Sequence, residues 1–186
     1  MTERADSITV RSIITKFLED EYIKSRLRLI KLRERNDWEK WLQVELEYFI
    51  SQSPGVHVER EVKAIPDNRM LPNRSTMSVD LIFSKSKQTE KSYIFLEFKC
   101  TKNVQALING FNLDIDKINS IKSCKYDFRS FWCVGFHLNC SKLSINRIKN
   151  HVAKYPNSYH DVIKLCDCVE DIECDCDDMK IGFAII

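Results

Sequence analysis

Glycine and proline are both scarce, four of each in 186 residues. No two glycines stand close enough to build a phosphate-cradling loop. A P-loop, a dinucleotide-binding fingerprint and a kinase glycine loop are therefore absent as recognisable signals. Histidine is scarce as well, and His57, His137, His151 and His160 show no metal-ligand spacing. No apolar run approaches the ~20 residues that a membrane span needs. The opening Met1-Thr2-Glu3-Arg4-Ala5-Asp6 is charged and has no secretory pattern, which points to a cytoplasmic protein. Charge of one sign is lacking too: 29 basic against 27 acidic residues leave a net +2. A nucleic-acid partner would have to be met by a local basic patch, not by a field over the whole surface. Internal repeats and low-complexity segments are also missing.

What is present describes a globular chain. It is 44% hydrophobic and 30% charged. One domain over 1–186 is expected, with a core at 36–140, a basic helical extension at 1–35, and a helix and strands at 141–186. Such a length buries roughly 70% of the surface its unfolded form exposes. Eight cysteines without an export signal read as reduced core thiols. Four of them, Cys166, Cys168, Cys174 and Cys176, fall close enough together for a zinc hairpin. The Cys-x-Cys spacing and the intervening Asp167 and Asp175 disfavour zinc, and free thiols are the favoured reading.

The chain reads as alternating helices and strands. Val10, Ile13, Ile14, Phe17 and Leu18 give the helical stripe of one or two N-terminal helices ending near Leu32. The later part, from Lys24 to Arg35, is basic, either a solvated face or a phosphate-contacting one. Asn36 or Asp37 is placed to cap a helix from Trp38 to about Ile50. Its stripe of Trp38, Trp41, Leu42 and Phe49 draws Glu45 inward and leaves Glu39 and Glu47 off the stripe. A snorkelling or salt-bridged Glu45 is the competing reading. Strands are expected at Val56–Ala64, Phe128–Leu138, Val162–Cys168 and Lys180–Ile186. A helix capped by Thr101 carries Val104, Leu107, Ile108 and Phe111, with Asn109-Gly110 as a possible break. Ile115, Ile118 and Ile121 continue its apolar face. Ser141 or Ser144 opens a further helix. This order gives an α/β fold, a mixed central sheet flanked by helices.

The stretch from Met77 to Cys100 carries the chemistry. It reads as two buried strands joined by the polar turn Lys85–Lys91. Asp80 interrupts the first, and Glu97 and Lys99 the second. Alternation puts Tyr93, Phe95, Glu97 and Lys99 on one face. Charges inside a core are costly unless paired or metal-bound. Two acids and a lysine converging across a hairpin suit a divalent cation. A buried salt bridge that fixes strand pairing is the competing reading.

Asp80 followed by Glu97-Phe98-Lys99 at the end of an apolar run resembles the PD-(D/E)XK nuclease superfamily, the restriction-endonuclease-like fold. Val79 stands where that family often has proline. Two decoys, Glu61-Val62-Lys63 and Asp178-Met179-Lys180, lack the partner aspartate. The resemblance covers about Trp38 to Leu138. It implies a helix–three strands–helix–strand core and a Mg²⁺- or Mn²⁺-dependent phosphodiesterase, with an endonuclease favoured. Asp80 and Glu97 would be metal ligands, with the Phe98 carbonyl and Glu45 completing the set. Lys99 would orient the attacking water and stabilise developing charge. Products would carry 5′-phosphate and 3′-hydroxyl ends. Lys102 and Gln105, just past the motif strand, would face substrate. Arg69 and Arg74, in the loop feeding the Asp80 strand, suit phosphate contact or stay as exposed loop cations. The implied partner is nucleic acid, DNA before RNA, with a homodimer or partner protein left open. The alternative is a non-catalytic nucleic-acid- or protein-binding module on the same fold.

Overall fold

Among the described residues a seven-stranded mixed sheet forms the middle layer, in the spatial order β4 (Ile121–Cys124), β1 (Val58–Pro66), β2 (Met77–Ser84), β3 (Ser92–Thr101), β5 (Asp127–His137), β7 (Lys180–Ile185), β6 (Tyr159–Lys164). The computed structural model describes residues 3–72, 74–84, 92–166 and 179–186. Three short-range expectations fall outside them: the turn Lys85–Lys91, the zinc reading at Cys168, Cys174 and Cys176, and the decoy Asp178. Cys166 is half-buried and carries a free thiol.

The N-terminal stripe is split into two helices, α1 (Glu3–Glu19) and α2 (Glu21–Leu32). Asp20 makes the break. Its Oδ1 accepts the N–H groups of Tyr22 and Ile23 at 2.9 and 3.2 Å, so it caps the second helix and ends the first. Helix α3 (Glu39–Ser51) follows. Neither Asn36 nor Asp37 caps it; the N-cap position is Trp38, with no side-chain cap bond. Trp38 is buried against Phe136 at 6.0 Å between ring centroids.

Strands β1 (Val58–Pro66), β2 (Met77–Ser84) and β3 (Ser92–Thr101) form an antiparallel meander. Helix α4 (Val104–Asn119) then crosses to β5 (Asp127–His137), which pairs parallel to β3. The cap of α4 is Asn103, whose side chain accepts the Ala106 N–H, not Thr101. A short strand, β4 (Ile121–Cys124), adds to the free edge of β1. Ile121 therefore belongs to the sheet and not to the helix. Helix α5 (Lys142–Val152), capped by Ser141, leads to β6 (Tyr159–Lys164) and β7 (Lys180–Ile185), which extend the sheet past β5.

Helices cover both faces. Alternation along β3 sends Ile94, Leu96, Phe98 and Cys100 into the core shared with α1, α2 and α3. Val104, Leu107 and Phe111 of α4 pack with Ile148 and Val152 of α5 on the other face. The fold is thus α/β, with a mixed central sheet flanked by helices. Among the described residues no helix is long and apolar enough to cross a membrane.

Candidate functional site

The second face of β3 changes character along its length. Tyr93 and Phe95 are buried with Ile118 of α4 in an apolar cluster. Glu97 and Lys99, next on the same face, meet charged residues of the same helix instead. The β2–β3 ladder pairs Ser84 with Tyr93 through to Leu81 with Leu96. Beyond it, carboxylates take the β3 amides. Asp80 Oδ2 accepts the Phe98 N–H at 2.8 Å, and Glu39 Oε2 accepts the Cys100 N–H at 3.0 Å. The two strands part here, and acids from β2 and from the start of α3 fill the notch. On the other side of β2, Glu61 holds a left-handed φ of 52° between the pairs Arg60–Leu81 and Val62–Val79. Its position in the ladder is opposite Asp80, where a local irregularity can re-aim a side chain.

Glu97 and Asp80 are 1% and 8% exposed, deep burial for carboxylates. Lys117 Nζ of α4 donates to Glu97 Oε2 at 2.6 Å. Lys99 Nζ lies 3.6 Å from Asp114 Oδ1 and 3.8 Å from Glu39 Oε1. The stem of Lys99 runs under α4 at Gly110, where a Cβ would sit 2.9 Å from the Lys99 Cγ and Cδ. Asn109-Gly110 therefore does not break the helix. The glycine lets it cross the lysine closely.

Four carboxyl groups (Glu39, Asp80, Glu97, Asp114) thus face two ammonium groups (Lys99, Lys117). Burial, then the charge of Asp80, pushes the Glu97 carboxyl up to about 9, with Lys117 opposing. Burial likewise pushes Asp114 up to about 6 and raises Glu39. Burial pulls Lys99 down, but Asp114, then Glu39, Asp80 and Glu97, outweigh it, and the net direction is up. Lys99 is therefore held protonated, suited to charge stabilisation rather than proton abstraction. Glu97 Oε1 and Asp114 Oδ2 are buried with no hydrogen-bond partner. Gln43, one turn after Glu39 on α3, is fully buried with neither amide atom partnered.

An acid-rich notch with orphaned carboxylate oxygens fits a hard divalent cation, which would replace the proton that burial holds on Glu97. Among the described residues no three His, Cys, Asp or Glu side chains already form a ligand cluster. Asp80 and Glu39 are turned to backbone amides and Glu97 to Lys117.

No protein-family model, no curated protein and no solved structure matches this chain.

Of the residues singled out in the sequence, Asp80, Glu97 and Lys99 come together, with the Phe98 amide bonded to Asp80. Glu45 does not join them. Its Oε1 accepts the Trp41 indole N–H at 3.1 Å, and it lines a groove with Phe17, Asp20 and Phe49. The α3 acid at the notch is Glu39. The buried stripe of α3 is Leu42, Gln43, Leu46 and Ile50, not the aromatic one. At 100° per residue that stripe centres on Glu39, and Glu45 falls about 120° away. Phe49 packs edge-on to Phe17 of α1 at 5.7 Å, while Trp38 packs on Phe136 of β5. Glu47 is paired with Arg60 at 2.7 Å. The decoy Glu61 and Lys63 are exposed, and Glu61 pairs with Lys40.

Arg69 is tied to Asp67 at 2.8 Å within the loop before β2, and Arg74 is exposed in the same loop. Gln105 donates to Asn109 Oδ1 and accepts from Arg147, on the outer side of α4. Lys102 lies 3.5 Å from Glu34 Oε2. Asp114 and Lys117 were not singled out. The readable signal for Asp114 was its place in the stripe Val104, Leu107, Phe111, Asp114, Ile118, an acid at a core position of an amphipathic helix.

Proposed function

We propose that the protein is a metal-dependent nuclease of the PD-(D/E)XK kind, acting on nucleic acid in the cytoplasm, with DNA favoured. The observation that carries this reading is the notch where β2 and β3 part, which holds Asp80, Glu97, Lys99 and Glu39. The order α3, three antiparallel strands, α4 and parallel β5 supports it, being the order the resemblance implies. Asp80 and Glu97 would hold Mg²⁺ or Mn²⁺, with the Phe98 carbonyl and Glu39, in place of Glu45, beside them. A bound divalent cation would draw charge from the scissile phosphate and lower the pKa of a coordinated water. Lys99, kept cationic by its acids, would position the attacking oxygen and stabilise the charge that develops. Glu97 Oε1, which has no partner, would take the cation, and Lys117 on Oε2 would stay beside the site to face the phosphate.

The same ion pairs favour a second reading. Glu97 with Lys117, and Lys99 with Asp114, can be a structural network in a non-catalytic binding module on this fold. A cleavage panel separates the two. Linear duplex, single strand, supercoiled plasmid and RNA are incubated with Mg²⁺, Mn²⁺ or chelator. The nuclease reading expects cation-dependent cutting of at least one substrate, lost in Asp80→Asn and in Glu97→Gln and kept within a few-fold in Lys63→Ala. Cutting that persists in chelator, or in Asp80→Asn at the wild-type rate, would overturn it.

A further inference from the structure

A cavity of about 680 Å³ opens at the carboxyl ends of the parallel strands β3 and β5. Ligands of open α/β sheets collect at such ends. Lys31 of α2, Lys102 after β3, Lys142 of α5 and Lys180 of β7 line it. Glu34 is the one acid among the described lining residues, and its side chain is 76% exposed. Lys31, Lys102 and Lys142 outnumber that acid; Lys31 Nζ also donates to the Leu138 carbonyl at 2.5 Å, and Lys102 lies 3.5 Å from Glu34 Oε2.

Two helices also begin at this cavity. Asn103, the cap of α4, and Ser141, the cap of α5, both line it. Neither helix has an acid in its first turn, and α5 opens with Lys142. A helix start normally gathers acids to complement its positive end. Here both starts keep that charge unanswered, and lysines add to it. Two helix N-termini and the ammonium groups of Lys31, Lys102 and Lys142 on one concavity are the chemistry of phosphate recognition. Lys102 follows Lys99 by three residues, so the chain can separate their Cα atoms by no more than roughly 11 Å.

We infer that this lysine cleft binds the phosphodiester backbone of a nucleic-acid strand, alongside the acid notch. The identity of the polyanion rests on the proposed function; the existence of the anion site does not. Three of the elements that line the cleft, α2, α5 and β7, lie outside the α3-to-β5 core. Their role is to hold phosphates flanking the one beside Lys99. Two lysines withdrawn from the cleft should remove about two counterion-release events from the salt dependence.

The test is fluorescence anisotropy of a labelled oligonucleotide of roughly 30 nucleotides, single-stranded and duplex, in chelator, from about 50 to 200 mM salt. Relative to wild type, Lys102→Gln/Lys142→Gln is expected to bind roughly tenfold more weakly, with a duplex log–log salt slope shallower by about 1.8. Lys142→Glu alone, at an exposed position, should weaken binding further than Lys142→Gln. Wild-type affinity and slope in the double variant, or a wild-type protein that binds neither oligonucleotide, would overturn the inference. Inorganic phosphate and ATP form the control arm. Tight binding of either, lost in the double variant and not displaced by oligonucleotide, would make the cleft a small-anion site and also overturn it. Lys63→Gln, at an exposed position of β1 outside the cleft, should keep oligonucleotide binding and slope. A wild-type protein that cuts nothing while the lysine variants still weaken binding would end the catalytic reading and leave the cleft standing.

Discussion

Glu39 and Glu45 lie less than two helical turns apart, yet they have different work. Glu39 holds the Cys100 amide and sits 3.8 Å from Lys99, in the electrostatic reach of Asp80. Glu45 holds the Trp41 indole N–H within α3. Glu39→Gln should therefore slow cleavage on the order of 10²-fold and weaken metal binding, the range seen for residues that support a metal shell. Its stability without metal should stay level, because one of four crowded acids has lost its charge. Glu45→Gln should change the rate by no more than a few-fold and alter stability by about 1 kcal/mol at most through one hydrogen bond. Single-turnover rates and thermal melts on both variants check the pair. The reverse ranking would move the site. The three motif residues were legible because a charge in an apolar strand is conspicuous and alternation is strict. The helical acid was not: the large aromatics outweighed the smaller side chains, yet Phe49 among them packs on Phe17 of α1, while the buried stripe of Leu42, Gln43, Leu46 and Ile50 centres on Glu39.

Helix α4 sets the height of the site above the sheet. Gly110 lets it lie on the Lys99 stem, and Gly135 of β5 lets it settle on the sheet through its own Leu107 and Phe111, whose atoms would be 2.3 and 2.4 Å from an added Cβ. Gly110→Ala gains up to ~1 kcal/mol of helix propensity but must push Lys99 aside. Cleavage should fall at least tenfold while the melting midpoint moves little, since a misplaced group at the reacting centre is felt strongly. A rate equal to wild type would mean that Lys99 is not held by the helix. Strands β2 and β3 and helix α4 could be read from their residues because each is long and periodic. The edge strand β4 could not, because its four residues, Ile121–Cys124, become a strand only by pairing with β1. The same holds for the caps. Asn103, two residues past the expected Thr101, was chosen by where α4 must start to clear β3.

At the scale of the molecule, the acid notch and the lysine cleft share one end of the sheet, and the strands beyond β5 are stitched by a histidine pair. His137 Nδ1 faces the Asn139 carbonyl at 2.8 Å, so it donates and leaves Nε2 to accept from His160 Nε2–H at 3.2 Å. The rings stack at 8°. Burial, then His137 and Lys149, depress His160 to about 4, and burial lowers His137. In the unfolded chain both titrate near 6.5. Between those values the unfolded state binds more protons, so this stabilisation is present at neutral pH and fades as pH falls from about 6.5 toward 4. Thermal melts across that window should show a steeper loss in wild type than in His160→Gln. Parallel curves would remove the pair from the acid response. The chain's central feature remains the notch between β2 and β3, and calorimetric titration with Mn²⁺ addresses it most directly. Wild type should bind one or two ions, with affinity rising between pH 6 and 8 as carboxyl protons are displaced, and Asp80→Asn should give only heats of dilution. Titrations of wild type and Asp80→Asn that coincide, with or without binding, would contradict a cation site at Asp80 and Glu97.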